Sequence, residues 1–171
     1  MKYLGIDTSV VAIPFCVFDD RQLIDFGVFT TEGKYFEEKL NFQYNKIQEL
    51  IEKYDIDVVI LEDVFVGKNM FGAKSTMQML GALRMGAYKK GKSCFLVLAS
   101  KWRKGVIKTR QKIGVKEQAI NYVNDNYGLD LVYDKSRTKT DDDMAEVIIM
   151  VEGLVWGRYT LENIKMFKKE E

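Results

Sequence analysis

The chain has 171 residues, of which 47% are hydrophobic and 30% charged, with a formal net charge of +1. That is enough chain for one ordinary globular core, and no run of about 18 apolar residues marks a membrane span. There is no histidine, which excludes serine and cysteine hydrolase triads, Cys/His zinc sites and histidine nucleases. Catalysis by this chain must therefore rest on carboxylates, lysines, tyrosines or a metal held by oxygen ligands.

Met1-Lys2 leads straight into a strand pattern, so no secretory signal is read. Cys16 and Cys94 lie in apolar strand-like segments and read as reduced core thiols in a cytoplasmic setting. Tyr3-Leu4-Gly5-Ile6-Asp7-Thr8-Ser9 predicts a first strand that ends on a carboxylate and a small polar turn. Ile13–Phe18 predicts a second strand, with the only proline, Pro14, near its start. After the turn-like Asp19–Gln22, Leu23–Phe29 alternates as a third, antiparallel strand. Tyr35–Tyr54 carries Leu40, Ile47, Leu50 and Ile51 at helical spacing. Val58–Leu61 is an unbroken β-branched and aliphatic run, suited to a strand buried on both faces. A second helix over Thr76–Lys90, a fifth strand over Cys94–Leu98 and a basic loop or broken helix over Lys101–Lys112 follow. Two more helices are predicted over Val115–Tyr127 and Asp141–Trp156. The whole predicts an α/β fold: a mixed five-stranded sheet, three antiparallel strands then two parallel, flanked by helices. With no repeat, low-complexity segment or linker, a single domain over residues 1–171 is expected, with a charged tail from about residue 160.

The net charge hides a segregation. Between Val64 and Lys116 there is no Asp or Glu but thirteen Lys or Arg, among them Lys68, Lys101, Arg103, Lys104, Lys108, Lys112 and Lys116. Solvated surfaces normally mix signs, and a one-sign stretch of this kind is what a phosphate-backbone contact requires.

Three acidic clusters stand far apart: Asp7, Glu62 with Asp63, and Asp141-Asp142-Asp143 with Glu146. Glu62 and Asp63 either open a solvated loop or face a cation at the end of a buried strand, where a lone carboxylate is costly. If the first and fourth strands are neighbours, Asp7 and Glu62 face one edge of the sheet, and the last helix can bring Asp143 and Glu146 to it. Four converging carboxylates need divalent cations, and such a site suits two Mg²⁺ about 4 Å apart, the arrangement that cleaves phosphodiesters. At about 100° per residue, Met144, Val147, Ile148, Val151 and Val155 form the packed face of the helix. Asp143 and Glu146 then share a flank of that face, whereas Asp142 points to solvent.

Gly67–Ser75 nearly matches a phosphate-binding loop, but Ala73 separates the second glycine from the lysine, so no nucleotide cofactor is expected. Gly81 and Gly86 on the second predicted helix serve either packing on the sheet or a helix–helix dimer contact. Phe65 is either core or an aromatic beside the carboxylates that stacks on an unpaired base. Trp102, among Lys101, Arg103 and Lys104, reads as core.

Gly5-Ile6-Asp7, Leu61-Glu62-Asp63-Val64-Phe65, Lys68-Asn69 and Asp143-Met144-Ala145-Glu146 together resemble the RuvC family of Holliday-junction resolvases, most closely its small bacteriophage versions. The resemblance runs in order over roughly residues 2–155. It implies an RNase H-like fold, a homodimer, four carboxylates with Mg²⁺ or Mn²⁺, and nicking of two opposed strands of a four-way DNA junction. It implies a location in the cytoplasm, that of a bacterial host if the protein is phage-encoded. On this resemblance Asp7, Glu62 and Asp143 match family ligands. Phe65 matches the aromatic at the junction centre, and Lys101, Lys104, Lys108 and Lys116 fall in the DNA-contacting region. Glu146 departs from the aspartate usual in cellular members. Other readings are an RNase H-fold nuclease acting on flaps or RNA–DNA hybrids, and a branched-DNA-binding protein that does not cut.

Overall fold

The structure, a computed structural model, describes residues 1–64, 70–108, 112–136 and 141–160, with only the backbone of Met70. Phe65 and Lys68 lie outside the described residues. The strands are β1 (Lys2–Ile6), β2 (Ala12–Asp19), β3 (Gln22–Thr30), β4 (Val58–Glu62) and β5 (Ser93–Val97), in the sheet order β3-β2-β1-β4-β5. β1, β2 and β3 are antiparallel neighbours, while β4 runs parallel to β1 and β5 parallel to β4. The mixed sheet expected from the strand patterns is the one observed. The helices are α1 (Phe36–Tyr54), α2 (Met70–Lys89), α3 (Ala99–Trp102), α4 (Val115–Tyr127) and α5 (Asp141–Val155). Among the described residues, no helix is long and apolar enough to cross a membrane.

Both faces of the sheet are covered, which is why its central strands read as continuous apolar runs. Leu4, Ile6, Val59 and Leu61 pack with Ile47, Leu50 and Ile51 of α1 and Leu80, Leu83 and Ala87 of α2. Cys16, Phe18 and Ile60 face the other way, against Ala119, Ile120 and Val123 of α4 and the length of α5. Side chains alternate along a strand. Gly5 and Asp7 therefore share the α5 side of β1, and Ile60 and Glu62 the α5 side of β4.

Gly5 sets how closely α5 approaches. A Cβ there would lie 2.3 Å from Val151 Cγ2 and 3.0 Å from Cys16 Sγ. Only a residue without a side chain lets the helix lie so near the sheet centre. The Cys16 thiol donates to the Val147 carbonyl at 3.3 Å and ties the same turn of α5 to β2.

The structure departs from the expected α2 at its start. The helix begins at Met70, six residues before Thr76, and the Thr76 hydroxyl donates to the Gly72 carbonyl at 3.1 Å within it. Threonine here bonds back one turn instead of capping the helix, a competing use of its hydroxyl. Gly72–Ser75 is thus helical, unlike a phosphate-binding loop. The two glycines of α2 also separate. A Cβ on Gly86 would lie 2.4 Å from Ile47 Cγ2 and 2.8 Å from the Tyr44 carbonyl oxygen, so Gly86 serves the α1–α2 contact. A Cβ on Gly81 meets nothing within 4 Å among the described residues.

Candidate active site

Register builds the site. β1 and β4 are parallel with Ile6 opposite Leu61, so the next residues, Asp7 and Glu62, emerge side by side at the carboxyl ends of adjacent strands. The Asp7 amide donates to the Pro14 carbonyl at 3.2 Å, which fixes the chain as it leaves the sheet. Asp7 and Glu62 are joined by a side-chain hydrogen bond, and two carboxyls can bond only if one holds a proton. Burial, then the Asp7 charge, push Glu62 up to about 9, so Glu62 holds it. Burial also raises Asp7, and the charge of Asp143 adds to the effect.

The first turns of α5 bring the other acids. Glu146 is only 6% exposed, and its Oε1 accepts from Arg103 Nη2 at 3.1 Å. Burial pushes it up to about 7 against the pull of Arg103 and Lys116, with the charges of Asp7 and Asp143 helping. Asp143 accepts from Lys116 Nζ at 3.1 Å, and Lys116 also bonds Asp142. Burial disfavours the Lys116 charge, yet the two carboxylates outweigh that and raise it above its ordinary value.

A cleft of about 610 Å³ opens beside these groups, lined among others by Asp7, Thr8, Glu62, Asp63, Thr76 and Arg103. Thr8 Oγ1 is buried there without a hydrogen-bond partner among the described residues, an acceptor and donor held ready in a polar site.

A family model described as crossover junction endodeoxyribonuclease RuvC matches residues 3–148. The chain belongs to the RuvC family. A crossover junction endodeoxyribonuclease RuvC of Clostridioides difficile is 25% identical over 112 residues, 63% of this chain and 66% of that protein. That of a Roseiflexus species is 30% identical over 87 residues, 48% of this chain and 52% of that protein. Over these matches the chain spans about half to two thirds of its curated relatives. The structure of Thermus thermophilus RuvC in complex with a Holliday junction substrate superposes with a TM-score of 0.71 at 16% identity, covering 92% of this chain and 97% of that one. The yeast mitochondrial Holliday junction resolvase superposes at 0.61 with 15% identity, covering 94% and 80%. The fold is therefore that of the RuvC resolvases.

The family's metal dependence can be tested against these residues. Among the described residues, no three acidic or cysteine side chains stand close enough to enclose an ion as they are. The chemistry nevertheless fits. The donors are all hard oxygens, two of the acids are held protonated or half-protonated by burial and mutual repulsion, and the other charges are offset by borrowed Lys and Arg. A divalent cation would relieve each of these.

Of the residues picked from the RuvC-like sequence, Asp7, Glu62, Asp143 and Glu146 come to one end of the sheet. Lys101, Lys104, Lys108 and Lys112 are exposed, whereas Arg103 and Lys116 turn inward onto the acids. Asp142 corrects an expectation, for it does not point to solvent. Its side chain is 14% exposed and paired with Lys116. A helix packed on one layer keeps a wet side, but Ala145–Gly153 of α5 are all buried because the sheet covers one side and α4 the other. Trp102 is core as read, 1% exposed, yet its Nε1 also donates to Glu62 Oε1 at 3.2 Å. No local pattern could signal that bond, since the partners are 40 residues apart. Thr8 was legible only as part of a polar turn.

Proposed function

We propose that the protein is a metal-dependent endonuclease that nicks four-way DNA junctions on opposed strands as a homodimer. The observation that carries this reading is the convergence of carboxylates from β1, β4 and α5 beside an open cleft in a chain of the RuvC family. Asp7, Glu62, Asp143 and Glu146 would hold Mg²⁺, with Mn²⁺ as a substitute, as two ions per site. Bound there, the ions would supply Lewis-acid stabilisation of phosphate charge and a water ionised at neutral pH. Glu62 would hold a cation only as its carboxylate, so its proton would pass to solvent, and all four acids would then serve as ligands. Trp102 Nε1, which donates to Glu62 at 3.2 Å, would hold that carboxylate in orientation.

Lys101, Lys104, Lys108 and Lys112 would track the phosphate backbone, which positions DNA without reading its sequence. Arg103 and Lys116 border both the acids and this basic face. Phe65 and Lys68 complete the proposed DNA-contacting set. For the dimer, α2 offers Met77, Met85 and Tyr88 at 52%, 51% and 74% exposure, with Gly81 open among them. An isologous contact there would give two sites for the two opposed strands of a junction with two-fold symmetry.

The test is a gel assay of four-way junction, flap, linear duplex and RNA–DNA hybrid with and without Mg²⁺. Junction nicking that needs Mg²⁺ is expected. It should disappear in Asp7→Asn, Glu62→Gln, Asp143→Asn and Glu146→Gln, while junction binding persists. Preference for flap or hybrid, or binding without any cut, overturns the reading.

A further inference from the structure

Two neighbouring residues at the end of α3 grip two different acids of the site. Trp102 donates to Glu62, and Arg103 donates to Glu146 at 3.1 Å. The Arg103 guanidinium carbon lies 4.8 Å from the centroid of the Trp102 ring, so the charge is stacked on a fully buried indole. The guanidinium is only half used. Its Nη2 meets Glu146, but its Nε is buried and has no hydrogen-bond partner among the described residues, at the lip of the cleft. The Nε–Nη edge of arginine is a two-donor fork matched to a carboxylate or a phosphate.

We propose that Arg103 is the built-in counter-ion of the metal site. It neutralises Glu146 in the metal-free protein, competes with a divalent cation for that carboxylate, and offers its fork to a DNA phosphate once the cation has entered. The proposal rests on the metal-dependent nuclease reading and names the residue that controls loading.

Glu146 is buried among acids, with Asp7 and Asp143 raising the cost of its charge, and a buried carboxylate left unpaired is expensive. A guanidinium offsets part of that cost, but it occupies the carboxylate a cation needs and repels the cation itself. Lysine could leave by losing a proton. Arginine cannot, so it must move. The idle Nε then has a use, because a phosphate gives the displaced fork two acceptors in place of the single bond it made to Glu146. The side chain is 38% exposed, enough to reorient without unpacking α3.

The experiment is a calorimetric Mn²⁺ titration of the full chain without DNA, for wild type, Arg103→Gln and Arg103→Met. A Tb³⁺ titration with tryptophan excitation runs alongside it. Tb³⁺ at the acids should be sensitised by Trp102 far more than by Trp156, which lies just past the end of α5 and about 15–20 Å from Glu146 and Asp143 along the helix axis; the signal should fall sharply in Trp102→Phe. Both Arg103 variants should bind Mn²⁺ about tenfold more tightly, the scale of one charge-assisted hydrogen bond removed. Arg103→Met keeps an aliphatic stem on Trp102 and serves should the glutamine variant melt early. In nicking assays the Mn²⁺ concentration for half-maximal rate should fall about tenfold, while the rate at saturating Mn²⁺ also falls, because the phosphate has lost its partner. Binding of Mn²⁺ that is equal or weaker in both variants overturns the proposal. If wild type nicks no branched DNA but the titrations follow this pattern, the nuclease reading fails and the counter-ion role stands.

Discussion

Replacing Gly5 with alanine tests how tightly the site depends on the seating of α5. The new Cβ would lie 2.3 Å from Val151 Cγ2, 3.0 Å from Cys16 Sγ and 3.3 Å from Val147 Cγ2. Ordinary carbon–carbon contact is about 3.5–4.0 Å, so the Val151 contact needs more than about 1 Å of relief. Val151 is fully buried, and a β-branched side chain in a helix has essentially one rotamer, so the methyl cannot swing aside and α5 itself must shift. Overpacking of this kind costs about 1–3 kcal/mol, or a Tm lower by about 2–4 °C for each kcal/mol in a chain of this size. Asp143 and Glu146 ride on the same helix, and a misplacement of about 1 Å in a catalytic group costs about a hundredfold in rate. Gly5→Ala should therefore lower single-turnover junction nicking far more than it lowers stability, measured by Mg²⁺-dependent nicking beside a thermal melt. Adding Val151→Ala removes the clashing methyl and should restore most of the rate, although that change makes a small cavity of its own. Wild-type nicking by Gly5→Ala, or no recovery in the double variant, would refute the claim that this contact places the acids.

Stability without metal should fall with pH. Glu62 and Glu146 are raised from an ordinary 4.5 to about 9 and about 7, so their contribution is full below about pH 4.5 and is lost as pH rises through those values. In EDTA the Tm should drop between about pH 5 and pH 9, with a shallower slope in Glu62→Gln; equal slopes would contradict a buried Glu62 proton. Junction affinity should fall about ten-thousandfold between 50 and 200 mM salt if the four exposed lysines, Lys101, Lys104, Lys108 and Lys112, each meet a phosphate in both protomers of the proposed dimer. A flat response in an anisotropy titration would place the DNA elsewhere. The two glycines of α2 should behave differently, with Gly86→Ala destabilising the fold by about 1–3 kcal/mol through its clash with Ile47 and Tyr44. Gly81→Leu should keep the Tm and yield monomers in sedimentation, and a dimer that survives it would move the interface off this face.

The sheet was legible in the sequence because strand patterns are local. The unbroken Val58–Leu61 run, the alternation of Leu23–Phe29 and the strand-end position of Asp7 each follow from a period of two and from burial on one face or both. The same period carried Asp7 and Glu62 to one side of the sheet once their strands were neighbours, and the family resemblance rested on those residues with Asp143 and Glu146. What the tertiary structure decided is what the acids touch. The helical period alone places Asp142 toward solvent, because a single helix offers an apolar face and a wet one; α4 closes the wet side and puts Lys116 there. Gly81 and Gly86 are alike in sequence, and only the approach of α1 makes one of them obligatory. Trp102 and Arg103 meet carboxylates 40 and 43 residues away. Helical and strand periods describe neighbours within a few residues. Contacts at such separations depend on how α3 and α5 dock against the sheet, and that docking is set by the packing of the whole core.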